Sequence, residues 1–144
     1  MKVRFVALAV AIAAALAGAC SSGSGHNQSK SKSKSATHQL AGEFTLHQDG
    51  ATFTPNTPCA GSAPHDAIKV GAPVDVTDAD GKPLASGFLG QSTATSTTEC
   101  RFPVQNVRLP DAPTYLVSVA NQGNFTFTHD DMTQKNWRIE FGIG

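Results

Sequence analysis

Histidine, cysteine and basic residues are too few here, or too widely spaced, for most of the chemistry a small protein can carry. The five histidines, His26, His38, His47, His65 and His129, never fall in a H-x-H, H-x-x-x-H or H-E-x-x-H spacing, so no zinc or copper set is written locally. They read as isolated, exposed side chains. Cys100 has no neighbouring His and Met of the kind a blue-copper loop requires. Asp78-Ala79-Asp80-Gly81 has part of a calcium-loop pattern, but Val76 occupies the preceding ligand position and no glutamate follows at the right distance. A tight turn accounts for it. No G-x-S-x-G elbow, glycine-rich phosphate loop or paired-carboxylate signature is present, so neither a catalytic set nor a cofactor is expected. From Ala41 onward six Lys or Arg face eleven Asp or Glu, which removes nucleic acid as an expected partner.

What the sequence does have begins at its first residues. Lys2 and Arg4 precede an apolar run over residues 5–16, too short to cross a bilayer, and small residues follow. This is the three-part layout of a secretory leader over residues 1–19. Ala17-Gly18-Ala19 fits an ordinary A-x-A cleavage site, while Leu16-Ala17-Gly18-Ala19-Cys20 resembles a bacterial lipobox, although Ala17 stands where leucine is usual. Both readings start the mature chain at Cys20. The lipobox reading is the expectation, because residues 21–36 are almost purely Ser, Gly, Lys, Asn and Gln, as a spacer between lipid and domain should be. Residues 20–40 are thus a lipidated cysteine and a flexible tether, with a span of roughly 25 Å as coil. Lys30, Lys32 and Lys34 read as a solvated spacer, or as charges leaning on anionic head groups or wall polymers. The implied location is the extracytoplasmic face of the cell membrane, with plain secretion as the alternative.

Lipidation of Cys20 leaves Cys59 and Cys100 as an even pair in an oxidising compartment, where a disulfide is expected. By chain entropy the crosslink contributes on the order of 4 kcal/mol at most. It would pin the Pro- and Gly-rich connection over residues 49–64, which offers few apolar anchors beyond Phe53.

Residues 41–144 are long enough for one core. Their apolar residues recur with period two: Phe44 and Leu46, Val74 and Val76, Phe102 and Val104, Tyr115, Val117 and Val119, Phe125 and Phe127, then Trp137, Ile139, Phe141 and Ile143. The turn cluster 78–81 predicts a hairpin, a phase change at Gln105-Asn106 predicts a bulge, residues 121–124 a second hairpin connection, and residues 130–135 a single helical turn. With about seven strands and no long amphipathic helix, the expected fold is all-β: an antiparallel β-sandwich, Ig-like or prealbumin-like.

The segments Val74 to Gly87, Cys100 to Val104 and Tyr115 to Val119, with Gly42 to Leu46, Cys59 and Asp66 to Gly71, resemble in order small β-domain lipoproteins of high-GC Gram-positive bacteria. The V-x-V-x-D-x-x-G-x-x-L-x-x-G run is also similar to carboxypeptidase-regulatory-like and transthyretin-like modules. The resemblance implies a seven-stranded accessory or adhesive sandwich, and its motifs are turn and core residues. The function expected is a lipid-anchored, non-catalytic module meeting an envelope protein or glycan, with Phe53, Phe88 and Tyr115 as its aromatic patch. An envelope carrier for a small apolar ligand or lipid is the alternative, and no ligand-binding residue is assigned.

Overall fold

The computed structural model describes residues 36–144. Strand β2 (Ala41–His47) turns Phe44 and Leu46 inward and leaves Glu43, Thr45 and His47 outside, the alternation of a half-buried strand. It pairs antiparallel with β6 (Glu99–Gln105), where Phe44 faces Phe102 and Leu46 faces Cys100. The expected hairpin joins β3 (Pro73–Thr77) to β4 (Pro83–Leu89). Its turn is held by Asp78, whose Oδ1 accepts the backbone N–H groups of Asp80 and Lys82, while Gly81 takes φ 78°, a conformation glycine adopts without a Cβ clash. Strand β8 (Thr114–Val119) lies antiparallel to β3 and β9 (Gln122–Thr128) to β8. The β8–β9 turn is tighter than the expected 121–124: Ala120 and Asn121, at φ 48° and 60°, form it alone, and Gln122 already belongs to the strand.

Three further expectations are revised. The fold is all-β with one short helix, but it is not purely antiparallel: β10 (Arg138–Ile143) runs parallel to β2, from Arg138 beside Ala41 to Ile143 beside Leu46. The short helix α1 (His129–Gln134) makes this possible by carrying the chain round the end of the sheet from β9. Its six residues are capped by Thr128, whose hydroxyl accepts the Asp131 N–H while the Asp131 carboxylate accepts the Thr128 N–H, the reciprocal pair of a capping box. Gly142 lets β10 lie close on β2, since a Cβ there would fall 2.2 Å from the Thr45 carbonyl oxygen.

The phase change at Gln105-Asn106 is not a bulge within one strand. Asn106, at φ 62°, turns the chain out of the main sheet, and β7 (Arg108–Pro110) pairs with β1 (Thr37–Gln39) in a separate two-stranded ribbon. Thr37 to Leu40 therefore belong to the folded domain rather than to the tether. The cause is Leu40, 1 % exposed, whose N–H donates to the Val107 carbonyl.

In the main sheet the order is β10-β2-β6-β4-β3-β8-β9, with the short β5 (Thr93–Ala94) beside β6. The sheet rolls until its end strands approach. Phe125 and Phe127 of β9 meet Phe141 of β10 with ring centroids 4.9 and 6.2 Å apart, and Phe44 lies beneath, 5.4 Å from Phe141. Inside the roll Phe44, Leu46, Val74, Val76, Phe102, Val117 and Ile139 form the core.

Candidate functional site

Four places gather polar or aromatic side chains among the described residues. At the first, Cys59 and Cys100 are bonded, with Cα atoms 6.0 Å apart. Cys100 is buried on β6, and the bond fixes the irregular connection before β3 to the sheet. Polar anchors that sequence reasoning missed support it. Buried Ser92 accepts the Cys59 N–H at 3.0 Å and donates to the Cys59 carbonyl at 2.6 Å. Buried Gln48 donates to the Ser62 carbonyl and accepts the Ser62 N–H, and Ile68 is fully buried below. Both polar side chains meet backbone of an irregular loop, a pairing that no periodicity announces.

At the second place, Trp137 is met by rings from three segments. The His38 imidazole of β1 lies parallel on the indole, with centroids 3.7 Å apart and planes 4° apart. His38 Nε2 is 2.8 Å from Asp111 Oδ1, in the β7–β8 connection. Tyr115 of β8 and His129 of α1 meet the indole edge-on, at 5.9 and 5.7 Å. The Tyr115 hydroxyl accepts the Ala112 N–H at 2.9 Å and donates to the Pro110 carbonyl at 3.1 Å. Burial pushes the Tyr115 hydroxyl above the usual tyrosine range; the Ala112 N–H works against that shift and the Asp111 charge adds to it. Two histidines expected to be isolated and exposed are thus partners of the one tryptophan. Of the others described, His65 Nδ1 is 2.8 Å from Gln122 Oε1 and His47 is 3.3 Å from Asp49. His38 was hidden because it lies in the stretch read as tether, and Asp111 because it lies in a Pro-rich turn.

The aromatic patch expected from Phe53, Phe88 and Tyr115 does not form. Tyr115 is fully buried, Phe53 packs against the core, and Phe88 alone is exposed. A different aromatic group replaces it at the third place, the line where β9 faces β10. There Phe125, Phe127, Phe141 and Ile143 are each half-buried, and no backbone hydrogen bond joins the two strands. Alternation had marked these residues as core. They are only half covered because the sheet ends on both sides of them, which a strand pattern cannot report.

On the outer face Arg101 donates to Glu43 at 3.0 Å and to Glu99 at 2.8 Å, and Thr95 donates to Glu99 at 2.6 Å. The Thr95 hydroxyl and then the Arg101 guanidinium hold the Glu99 carboxyl below the usual range. Nearby, open grooves of about 340 and 480 Å³ run past Arg138 and Glu140; Glu43 lines the smaller one and Lys135 the larger. Among the described residues no group of three or more His, Cys, Asp or Glu could hold a metal, and no helix is long and apolar enough to cross a membrane. Cys20, the leader and the lysines at 30, 32 and 34 lie outside the described residues. The chain matches no family model, no curated protein and no solved structure.

Proposed function

We propose that this chain is a lipid-anchored, non-catalytic interaction module of the cell envelope. In this reading Cys20 carries the lipid, the Ser- and Lys-rich segment is the spacer, and the β-domain meets an envelope protein or glycan on the outer side of the membrane. The observation that carries it is the seam between β9 and β10. Half-exposed phenylalanines lie there between two strand edges whose outward N–H and C=O groups have no ladder partner, so one place offers both apolar contact and main-chain hydrogen bonds. Strand β9, Gln122–Thr128, contains neither charge nor proline, the usual devices that keep an edge from pairing.

The likeness to small lipoproteins of high-GC Gram-positive bacteria fits this reading, and so does a sandwich description of the rolled sheet. Its halves, β10-β2-β6 and β4-β3-β8-β9, are joined by a short ladder of two pairs, Phe88↔Gln105 and Leu89↔Val104, and Phe44 reaches Phe125 across the interior at 6.4 Å. A photo-crosslinking residue placed at Asn124 or Thr126, both exposed on β9, tests the module directly in cells. A discrete adduct there, absent when the same residue stands at Ser86 on β4, supports it. Equal labelling at all three positions argues against the seam. Fatty-acid labelling lost in Cys20→Ala tests the anchor separately.

A further inference from the structure

The contacts of His38 exceed what a three-residue strand needs in order to stay paired, and both are sensitive to charge. β1 has three ladder pairs with β7, Thr37 to Pro110, His38 to Leu109 and Gln39 to Arg108, extended by the Leu40 N–H to Val107 bond. From this short strand His38 reaches an aromatic face and a carboxylate together. A neutral imidazole can stack on an indole and donate one hydrogen bond. An imidazolium makes the same two contacts as a cation over the electron-rich face of tryptophan and as half of an ion pair.

We propose that β1 is a proton-tightened clasp, in which protonated His38, lying on Trp137 and paired with Asp111, holds Thr37–Gln39 on β7 more firmly than neutral His38 does. The groups around it decide the sign. Asp111 supplies the negative charge in contact, and Asp130 and Asp131 stand in the first turn of α1, next to His129. Arg108, across the ladder from Gln39, and Arg138, next to Trp137, oppose it at longer range. The Tyr115 hydroxyl stays neutral, and His129, against the same indole, is the one other imidazole in the cluster. His38 and Asp111 are about a third and half exposed, so water screens the pair and the effect is a graded tightening. Opening the clasp bares one edge of β7 and one face of Trp137 at the point where the chain enters the domain. The clasp does not depend on what the β9–β10 seam binds.

Hydrogen exchange at the Leu40 amide of the full chain reads clasp opening, since that N–H is held by Val107 only while β1 is docked. After correction for the intrinsic rate, protection of Leu40 at about pH 5 should exceed that at about pH 8 by roughly three- to tenfold, the range allowed for a screened ion pair and an exposed cation–π contact. Amides of the β3–β8 ladder should show no such step. His38→Gln should abolish the step, Asp111→Asn should reduce it, and His129→Gln should leave it in place. His38→Phe, which keeps a stacking ring without a proton, should hold the clasp closed independently of pH and covers the case in which His38→Gln folds poorly. Trp137 is the single tryptophan, so its fluorescence gives a second, local reading. The proposal is overturned if Leu40 protection in the wild type is the same at both pH values, if the step survives in both His38 variants, or if it is lost only in His129→Gln.

Discussion

Replacing Tyr115 by phenylalanine removes one oxygen from a closed site and leaves the ring packing intact. That oxygen serves two backbone groups of the Pro110 to Ala112 turn, accepting from the Ala112 N–H and donating to the Pro110 carbonyl. A hydrogen bond contributes about 0.5–1.5 kcal/mol net, and a buried group left without a partner costs about 1–3 kcal/mol. Both groups lie beside a fully buried ring, but the turn is at the surface and water can reach part of it, so Tyr115→Phe should cost about 2 kcal/mol. For a domain of this size that lowers the melting temperature by roughly 6–12 °C. Urea unfolding followed by Trp137 fluorescence measures the cost. A second reading comes from the phenol itself, because Tyr115 is the only tyrosine and its ionisation is visible alone in the near ultraviolet. Its folded pKa lies above the unfolded value, chiefly through burial. The stabilisation is therefore complete below the ordinary tyrosine value near ~10 and is lost as pH rises through the higher folded value. A Tyr115→Phe protein within about 0.5 kcal/mol of wild type, or a phenol that titrates at the ordinary value, would refute the reasoning.

Trp137→Ala should cost about 3–5 kcal/mol, since the indole is the shared neighbour of His38, Tyr115 and His129; an equally stable variant in the same urea experiment removes it from the core. Reduction of Cys59–Cys100 should lower the melting temperature by the equivalent of no more than about 4 kcal/mol and bring proteolysis first within residues 49–64, while Gln48 and Ser92 keep part of the loop in place. Two free and mutually distant thiols in the folded, unreduced protein would contradict the bridge. The Thr128 hydroxyl and N–H hold the Asp131 carboxyl below its usual range, so the capping box stabilises α1 above the ordinary carboxylate value and is lost as pH falls through the lower folded one. NMR should show α1 fraying in acid before the sheet melts, with Thr128→Ala frayed at every pH. Simultaneous loss of helix and sheet signals in the wild type would count against it.

How far the sequence could be read depended on whether a residue's partner was near or far along the chain. Period-two alternation located the strands holding Phe44, Val74, Phe102, Val117 and Ile139, because each such strand shows its buried face in its own residues. Asp78 and Gly81 announced their turn for the same reason, since Asp78 bonds the backbone two and four residues on. The parallel β10–β2 pairing was not legible: alternation fixes which side of a strand is buried and says nothing of which neighbour it takes or in which direction. Nor could β1 be read, because its burial rests on Leu40 alone and its contacts lie at Val107, Asp111 and Trp137. The cysteine pair was recoverable from arithmetic, whereas the His38–Trp137–Asp111 group joins three segments that share no pattern.

The parallel pairing also sets the order in which this molecule can be built. β2 is among the first strands of the domain to be synthesised, yet one of its two edges is covered only by β10, which follows every other strand. Until then that edge, with Phe44 and Leu46 beside it, is open to any other extended chain. Non-local pairing of this kind slows folding, and a slow step with an uncovered strand favours association between incomplete copies. Gly142 stands at that closing step, where a side chain would press on the Thr45 backbone. A substitution there would delay closure as well as weaken the finished fold, and its first symptom would be aggregation during production rather than a lower melting point.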